Sequence, residues 1–137
     1  MKSTRTILLV EDNKIEAMKV RRAFKKLGVV NDLHISPNGL EALSYLKEQE
    51  HNLPGLILLD LNMPKMNGLE FLHEIKQDDN FKKIPVVVLT TSKNESDRMQ
   101  SFEHSVAGYM VKPVRYEAYL EVIQIIENYW KTSELPY

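Results

Sequence analysis

The 137-residue sequence contains no cysteine, which excludes disulfide bonds, thiol catalysis and cysteine-ligated zinc. Its four histidines, His34, His51, His73 and His104, lie far apart and form no H-x₃-H pair. We therefore do not expect a histidine metal site. The sequence also lacks the G-x-G-x-x-G and G-x₄-G-K-[ST] motifs, so a nucleotide substrate is not indicated.

The sequence also lacks long runs of one charge sign and long runs of apolar residues. The net charge is −1 without an extended block of one sign, so no nucleic-acid partner is expected. The longest apolar runs, at 7–10, 56–59 and 86–89, have the length of strands and are far too short to cross a membrane. No secretory signal is recognisable at the N-terminus, and we expect a cytoplasmic protein without membrane attachment.

The sequence instead shows five short β-branched or leucine-rich runs, each followed by a longer amphipathic stretch. The short runs predict strands. The longer stretches predict helices, because their apolar residues recur at helical spacing. The predicted strands are 5–10, 31–36, 55–60, 84–90 and 108–111, and the predicted helices are 13–27, 38–49, 66–77, 94–106 and 115–130.

This alternation predicts an α/β fold. Three of the strands are apolar without period-2 alternation, as expected for a parallel sheet that is buried on both faces. Right-handed crossovers then give a three-layer, doubly wound five-stranded sheet with the flavodoxin-like order 2-1-3-4-5. The length suits one domain spanning 1–137, with a core of about 5–130 and a short C-terminal tail, 131–137.

Polar side chains collect where the predicted strands end. Strand 1 is followed by Glu11 and Asp12, strand 3 ends in Asp60, strand 4 in Thr90, and Lys112 follows strand 5. Ligands of open α/β sheets bind at this edge. Clustered carboxylates repel and raise one another's pKa, so they normally need a cation. The hard oxygen donors favour Mg²⁺ or Mn²⁺ over zinc.

The same set of groups suits phosphoryl transfer, in which positioning and charge neutralisation dominate. A carboxylate can act as the nucleophile and form an aspartyl phosphate. Lys112 offers a positive charge and Thr90 a hydroxyl to phosphoryl oxygens. Each residue alone has a simpler structural explanation, because strand-end carboxylates are commonly helix caps or loop residues. The combination is what favours the chemistry.

These residues lie in four ordered motifs: LVEDN at 9–13, LLDLNMPKMNG at 58–68, IPVVVLT at 84–90 and GYMVKP at 108–113. With them the chain resembles, from residue 5 to about 130, the receiver domains of bacterial two-component response regulators. Within that family it is similar to the small single-domain regulators that partner phytochrome histidine kinases. The features of this narrower resemblance are EDN at 11–13, PVVVLTTS at 85–92 and NYW at 128–130.

The resemblance implies that Asp60 is the phosphoacceptor. It also implies that Glu11, Asp12 and Asp60 hold Mg²⁺ or Mn²⁺ together with the main-chain carbonyl of Asn62. Asp12 would be the more direct ligand of the acidic pair.

Further roles follow from the resemblance for the ends of strands 4 and 5. Thr90 and Lys112 would bind the phosphoryl oxygens, and Tyr109 would be the aromatic residue that turns inward on activation. The Lys112–Pro113 peptide bond would be cis. Tyr109 on a short strand has the simpler alternative of being a core residue.

The implied partner is a sensor histidine kinase, of the phytochrome type according to the narrower resemblance, or a histidine phosphotransfer protein. Without an output domain, the signal would pass through phosphorylation-dependent protein contacts. The protein would not be an enzyme, apart from catalysing its own phosphorylation and dephosphorylation.

The last predicted helix has an unusually wide apolar surface. At about 100° per residue, its two adjacent apolar stripes cover roughly 220° of the circumference, whereas one sheet face needs little more than 100°. We therefore expect a homodimer through this helix, at a surface formed by Val122, Ile125, Tyr129 and Trp130. The alternative is that the C-terminal tail folds back over Tyr129.

Two other functions suit an α/β fold with carboxylates at this sheet edge. A Mg²⁺ phosphohydrolase of this architecture usually has a second aspartate two residues after the nucleophile, where this chain has Asn62. A flavodoxin-like electron carrier needs a Ser/Thr/Gly-rich phosphate loop after strand 1, where this chain has Glu11, Asp12 and Asn13. Both alternatives are disfavoured.

Overall fold

The computed structural model describes residues 5–137. Five strands and five α-helices alternate along this range, with one short 3₁₀ turn, Phe81–Lys83, before the fourth strand. The strands are β1 (Ile7–Val10), β2 (Leu33–Ser36), β3 (Leu56–Leu59), β4 (Val86–Thr90) and β5 (Gly108–Val111). The helices are α1 (Lys14–Lys26), α2 (Gly39–Glu48), α3 (Gly68–Gln77), α4 (Glu95–Glu103) and α5 (Tyr116–Thr132).

The strands form one parallel sheet in the order β2-β1-β3-β4-β5. Successive strand residues point to opposite faces, and two separate hydrophobic cores result. Leu8 and Ile57 pack with α2 and α3 on one face, whereas Leu9 and Leu58 pack with α1 and α5 on the other. The predicted α/β architecture, its three layers and its strand order are confirmed.

The structure refines several predicted boundaries. Helix α4 is shorter than predicted and is capped by His104. Ser105 follows with φ 59°, a left-handed conformation that cannot continue the helix. The 3₁₀ turn was not predicted. It is supported by the Asp78 carboxylate, which accepts hydrogen bonds from the main-chain N–H groups of Asn80 and Phe81.

The predicted dimer surface was wrong in including Trp130. Its side chain is only 4% exposed, and its indole N–H donates to the Gly55 carbonyl at 2.8 Å. A buried indole needs such a partner, and the end of α5 reaches the start of β3 to supply it. Ile125 and Tyr129 are each 57% exposed, while Val122 is half-buried.

The C-terminal tail returns to the amino ends of the strands. The Tyr137 hydroxyl donates to the Pro54 carbonyl at 2.7 Å, and the Arg5 guanidinium lies over the Tyr137 ring. Burial raises the pKa of Tyr137 to about 12. The tail folds back as the alternative predicted, but it leaves Tyr129 more than half exposed.

None of the helices within residues 5–137 has the length and hydropathy that crossing a bilayer requires.

Candidate functional site

Three carboxylates meet at the carboxyl ends of β1 and β3. Glu11 and Asp12 follow β1, and Asp60 follows β3. One oxygen from each of the three lies within 4.8 Å of the others. Glu11 and Asp60 are buried, whereas Asp12 is exposed. The predicted convergence of these side chains is therefore confirmed.

Main-chain hydrogen bonds fix this arrangement. The Asp60 N–H donates to the Val10 carbonyl at 3.0 Å, which extends the pairing of β3 with β1 by one residue. Asn13 caps α1 by accepting from the N–H groups of Ile15 and Glu16, so the chain turns into a helix directly after Asp12. The acidic pair consequently lies beside the N-terminus of α1, where negative charge is favoured by the helix dipole.

Gly68 allows the segment after Asp60 to close tightly. Its N–H donates to the Leu61 carbonyl at 3.0 Å. A Cβ atom at this position would lie only 2.5 Å from the Asp60 carbonyl oxygen and 2.6 Å from the Leu61 Cα atom. The obstacle is main chain and cannot swing aside, so the site requires glycine where α3 begins.

Lys112 supplies the positive charge of the site. Its ammonium group lies 2.5 Å from a Glu11 carboxylate oxygen and 3.7 Å from Glu16. Burial nevertheless raises the pKa of Glu11 from its ordinary value to about 7. Lys112 opposes this shift, and the negative charge of Asp60 reinforces it. The contact with Lys112 thus does not offset the effect of burial on the Glu11 pKa.

Sequence reasoning missed Glu16, Tyr119 and Tyr116. The Glu16 oxygen that lies 3.7 Å from the Lys112 ammonium, and the hydroxyl groups of Tyr116 and Tyr119, are buried without a hydrogen-bond partner among the described residues. Burial and the nearby Glu16 and Glu11 charges raise the pKa of Tyr119 strongly. Glu16 lies four residues after Asp12, and this spacing of about one helical turn could have indicated that the two carboxylates lie on the same side of the site.

Thr90 and Tyr109 both hold the turn between β4 and α4, and they do so through Ser92. The Ser92 N–H donates to the Thr90 hydroxyl at 3.2 Å, and the Tyr109 hydroxyl donates to the Ser92 carbonyl at 3.0 Å. The Ser92 hydroxyl in turn donates to Asp97 at 2.7 Å, in the first turn of α4. Sequence reasoning did not single out Ser92, whose role depends on contacts with distant residues.

Thr90 and Lys112 lie at adjacent strand ends. The Lys112 N–H donates to the Thr90 carbonyl at 2.7 Å, and Thr90 is fully buried. Asn62 is exposed in the loop two residues after Asp60.

The prediction of a cis peptide bond between Lys112 and Pro113 was wrong, because no peptide bond within residues 5–137 is cis. The trans isomer before proline is favoured by roughly 0.5–1 kcal/mol. The Lys112–Thr90 main-chain hydrogen bond forms with the trans peptide in place.

The donor set fits a hard divalent cation. All three clustered ligands are carboxylates, and two of them are buried. Burial, reinforced by the charge of Asp60, raises the pKa of Glu11 despite its contact with Lys112. Oxygen donors of this kind suit Mg²⁺ and Mn²⁺. The neighbouring hydroxyl and ammonium groups can bind the oxygens of a phosphoryl group.

Comparisons with known proteins agree with this chemistry. The model of the response regulator receiver domain family matches residues 7–124. The chain is 42% identical to the response regulator Rcp1 of Synechocystis sp., over 96% of this chain and 93% of Rcp1.

Two solved structures are also similar. The phosphorylated cyanobacterial phytochrome response regulator RcpA has a TM-score of 0.90 and 37% identity, covering 98% of this chain and 99% of RcpA. The Mn²⁺-bound form of Rcp1 has a TM-score of 0.87 and 42% identity, covering 97% of this chain and 99% of Rcp1.

Proposed function

Because the chain belongs to the response regulator receiver domain family, we propose that it accepts a phosphoryl group onto Asp60 from a sensor histidine kinase or a histidine phosphotransfer protein. It then signals, in this proposal, through phosphorylation-dependent protein contacts in the cytoplasm. The observation that carries the proposal is the meeting of Glu11, Asp12 and Asp60 beside Lys112.

The metal ion in this proposal is Mg²⁺ or Mn²⁺. The carboxylates of Glu11, Asp12 and Asp60 would hold it, together with the main-chain carbonyl of Asn62. When bound, the ion neutralises negative charge on the phosphoryl oxygens and on the carboxylates around them. The Mn²⁺-bound form of Rcp1 supports this choice.

Asp60 is the nucleophile. One of its carboxylate oxygens forms a bond to phosphorus while the N–P bond of the phosphohistidine donor breaks, and the imidazole departs. Asp60 is 7% exposed, so a donor has to reach into the pocket. The Lys112 ammonium is held close by Glu11 and binds a phosphoryl oxygen after a short displacement.

Thr90 connects the phosphoryl group to the surface. Its hydroxyl group accepts from the Ser92 N–H, and it can donate its own proton to a phosphoryl oxygen. Movement of Thr90 toward the phosphoryl group would weaken the Ser92 contact. Tyr109 shares Ser92, so the turn before α4 and the Tyr109 ring would respond together.

The kinase or phosphotransfer partner would dock around the mouth of the pocket. Ile15 and Met18, in the first turns of α1, are 75% and 52% exposed, and Val114, two residues after Lys112, is 98% exposed. Exposed apolar groups of this size commonly mark a protein contact. The similarity to RcpA favours a phytochrome-type kinase.

A homodimer is the second contact in the proposal. The exposed side chains of Ile125 and Tyr129 on α5 adjoin the half-buried Val122, and Val111 at the sheet edge is 37% exposed. Sedimentation at concentrations well above micromolar tests the dimer. A strictly monomeric protein, with and without phosphorylation, would contradict it.

Phosphorylation with acetyl phosphate tests the main proposal. We expect intact mass spectrometry to show the gain of one phosphoryl group that requires Mg²⁺ and is lost in Asp60→Asn. Asp79→Asn is the matched control, because Asp79 is an exposed aspartate after α3. A phosphoryl group that persists in Asp60→Asn, or its absence from folded wild-type protein with both acetyl phosphate and a phosphorylated kinase, contradicts the proposal.

The only reaction in this proposal besides acceptance is hydrolysis of the protein's own aspartyl phosphate. Turnover of an external substrate is not part of it.

A further inference from the structure

Two histidines that are distant in sequence face each other across a surface groove between α3 and α4. His73 lies on α3, and His104 is the C-terminal cap of α4. Their ring centroids are 5.6 Å apart, and the ring planes are inclined by 75°. The groove has a volume of about 370 Å³, and Glu70, Glu74 and Gln100 also line it.

We propose that His73 and His104 form a two-imidazole binding site for a transition-metal ion such as Zn²⁺ or Ni²⁺, with water completing the coordination. This site is separate from the acidic cluster at Asp60. It would join α3 to the end of α4 through a single ion.

The spacing of the imidazoles suits a shared ion. With metal–nitrogen bonds of about 2.1 Å and a tetrahedral angle, two imidazole centroids on one zinc ion lie about 5 Å apart. The observed 5.6 Å is close to this value. Rotation about histidine χ2 meets a broad, shallow energy profile, so one nitrogen from each ring can turn toward a common point while the helices keep their positions.

The groove is also electrostatically suited to a cation. Glu70 and Glu74 are one helical turn apart on α3, and no lysine or arginine is among the described residues that line the groove. Glu70 already accepts a hydrogen bond from the Asn67 N–H. The Glu74 side chain has no hydrogen-bond or ion-pair partner within residues 5–137, so its negative charge contributes to the potential of the groove.

The position of His104 at the C-terminus of α4 also favours the binding of a cation. The C-terminus of a helix carries partial negative charge and favours a cation. α1, α2, α3 and α5 each have a basic residue in the last turn, whereas α4 has none. A metal ion on His104 would supply the missing positive charge.

The chemistry of the ligands distinguishes this site from the acidic cluster. Imidazole nitrogens suit zinc, nickel and copper, whereas Mg²⁺ prefers oxygen ligands. Excess Mg²⁺ competes for the carboxylates of the acidic cluster, and the dependence of Zn²⁺ binding on His73 and His104 identifies the histidine site.

Calorimetric titration of Zn²⁺ into the full chain, in excess Mg²⁺, tests the proposal. We expect saturable binding of one ion that is lost in His73→Ala and in His104→Ala. Binding should persist in His51→Ala, a matched control because this histidine side chain is 95% exposed. It should also persist in Asp60→Asn, so that failure of the phosphoryl site and failure of this site are distinguishable.

A second measurement locates the ion. Ni²⁺ is paramagnetic in octahedral coordination, and it should broaden the imidazole NMR signals of His73 and His104 while leaving those of His34 and His51 sharp. The proposal is overturned if wild-type protein binds no Zn²⁺ under these conditions, if both histidine variants retain it, or if Ni²⁺ broadens all four histidines equally.

Discussion

The Lys112 ammonium lies 2.5 Å from the Glu11 carboxylate, and this contact joins the ends of β5 and β1 across the site. Both side chains are almost fully buried. A pair of this kind is strongly disturbed when one partner is lost or recruited elsewhere. The contact therefore couples metal binding, which engages Glu11 in our proposal, to the freedom of Lys112 to meet a phosphoryl group.

Mg²⁺ affinity should depend on pH in the range where Glu11 titrates. Its pKa of about 7 in the metal-free protein lies above the ordinary 4.5, so protonation competes with the metal below about pH 7. Calorimetry at about pH 6 should give an affinity roughly tenfold lower than at about pH 8. Glu11→Gln should flatten this dependence, and an unchanged pH profile in that variant would contradict the role of Glu11.

The same pKa shift predicts how the stability of the metal-free protein responds to pH. Because the folded state holds the Glu11 proton more tightly than the unfolded chain, stability should rise as pH falls from about 7 toward about 4.5. Denaturation midpoints of wild type and Glu11→Gln, compared across this range, isolate the Glu11 contribution. A wild-type protein that loses stability relative to Glu11→Gln on acidification would contradict this sign.

Glu16→Gln should weaken Mg²⁺ binding several-fold. Glu16 is the second carboxylate beside Lys112 and would hold this ammonium when Glu11 turns to the metal. Glu48→Gln removes the same charge at the C-terminal end of α2 and serves as the control in calorimetry. Equal effects of the two substitutions would mean that Glu16 contributes only long-range charge.

Tyr109→Phe should loosen the turn before α4 without preventing phosphorylation. The substitution removes the hydroxyl that donates to the Ser92 carbonyl but leaves Thr90 and Lys112 in place. We expect faster amide hydrogen exchange at residues 91–94, while the acetyl phosphate reaction still modifies Asp60. Tyr129→Phe, at an exposed tyrosine on α5, should leave the exchange unchanged.

Trp130→Phe should lower the free energy of unfolding by about 1–3 kcal/mol, since it leaves the Gly55 carbonyl without its donor. Tyr129→Phe is the adjacent control and should change stability by less than about 0.5 kcal/mol. Urea denaturation measures both. Equal stability of Trp130→Phe and wild type would show that water replaces the indole N–H at no cost.

The sequence was sufficient to predict the sheet, because each strand is marked by a short local pattern of residues. Apolar runs such as Ile7–Val10 mark strands whose neighbours bury them on both faces. A parallel sheet brings the ends of those strands to one edge, and this geometry alone placed Asp60 beside Glu11 and Asp12.

The features that were missed depend on tertiary contacts. Ser92 is defined by its bonds to Thr90 and Tyr109, and the two histidines meet only after α3 and α4 pack. We expected no histidine metal site because the histidines lie far apart in the sequence and form no H-x₃-H pair. The proximity of His73 and His104 comes from two different helices and leaves no such spacing.

The errors have equally specific causes. Helical periodicity places Trp130 on the same stripe as Tyr119 and Ile123, which are buried, and the error was to count it with the dimer surface. The periodicity does not show that the Trp130 indole reaches the Gly55 carbonyl. The isomer of the Lys112–Pro113 bond depends on a small energy difference, which no local pattern determines.

The sheet divides the interior into two cores that meet only through strand backbone. Substitutions in separate, non-contacting regions generally have additive effects. Residues under α1 and α5 can therefore diversify with little need for compensating changes under α2 and α3. An evolutionary lineage could in this way exchange one set of protein partners for another on one face of the molecule while inheriting the opposite face unchanged.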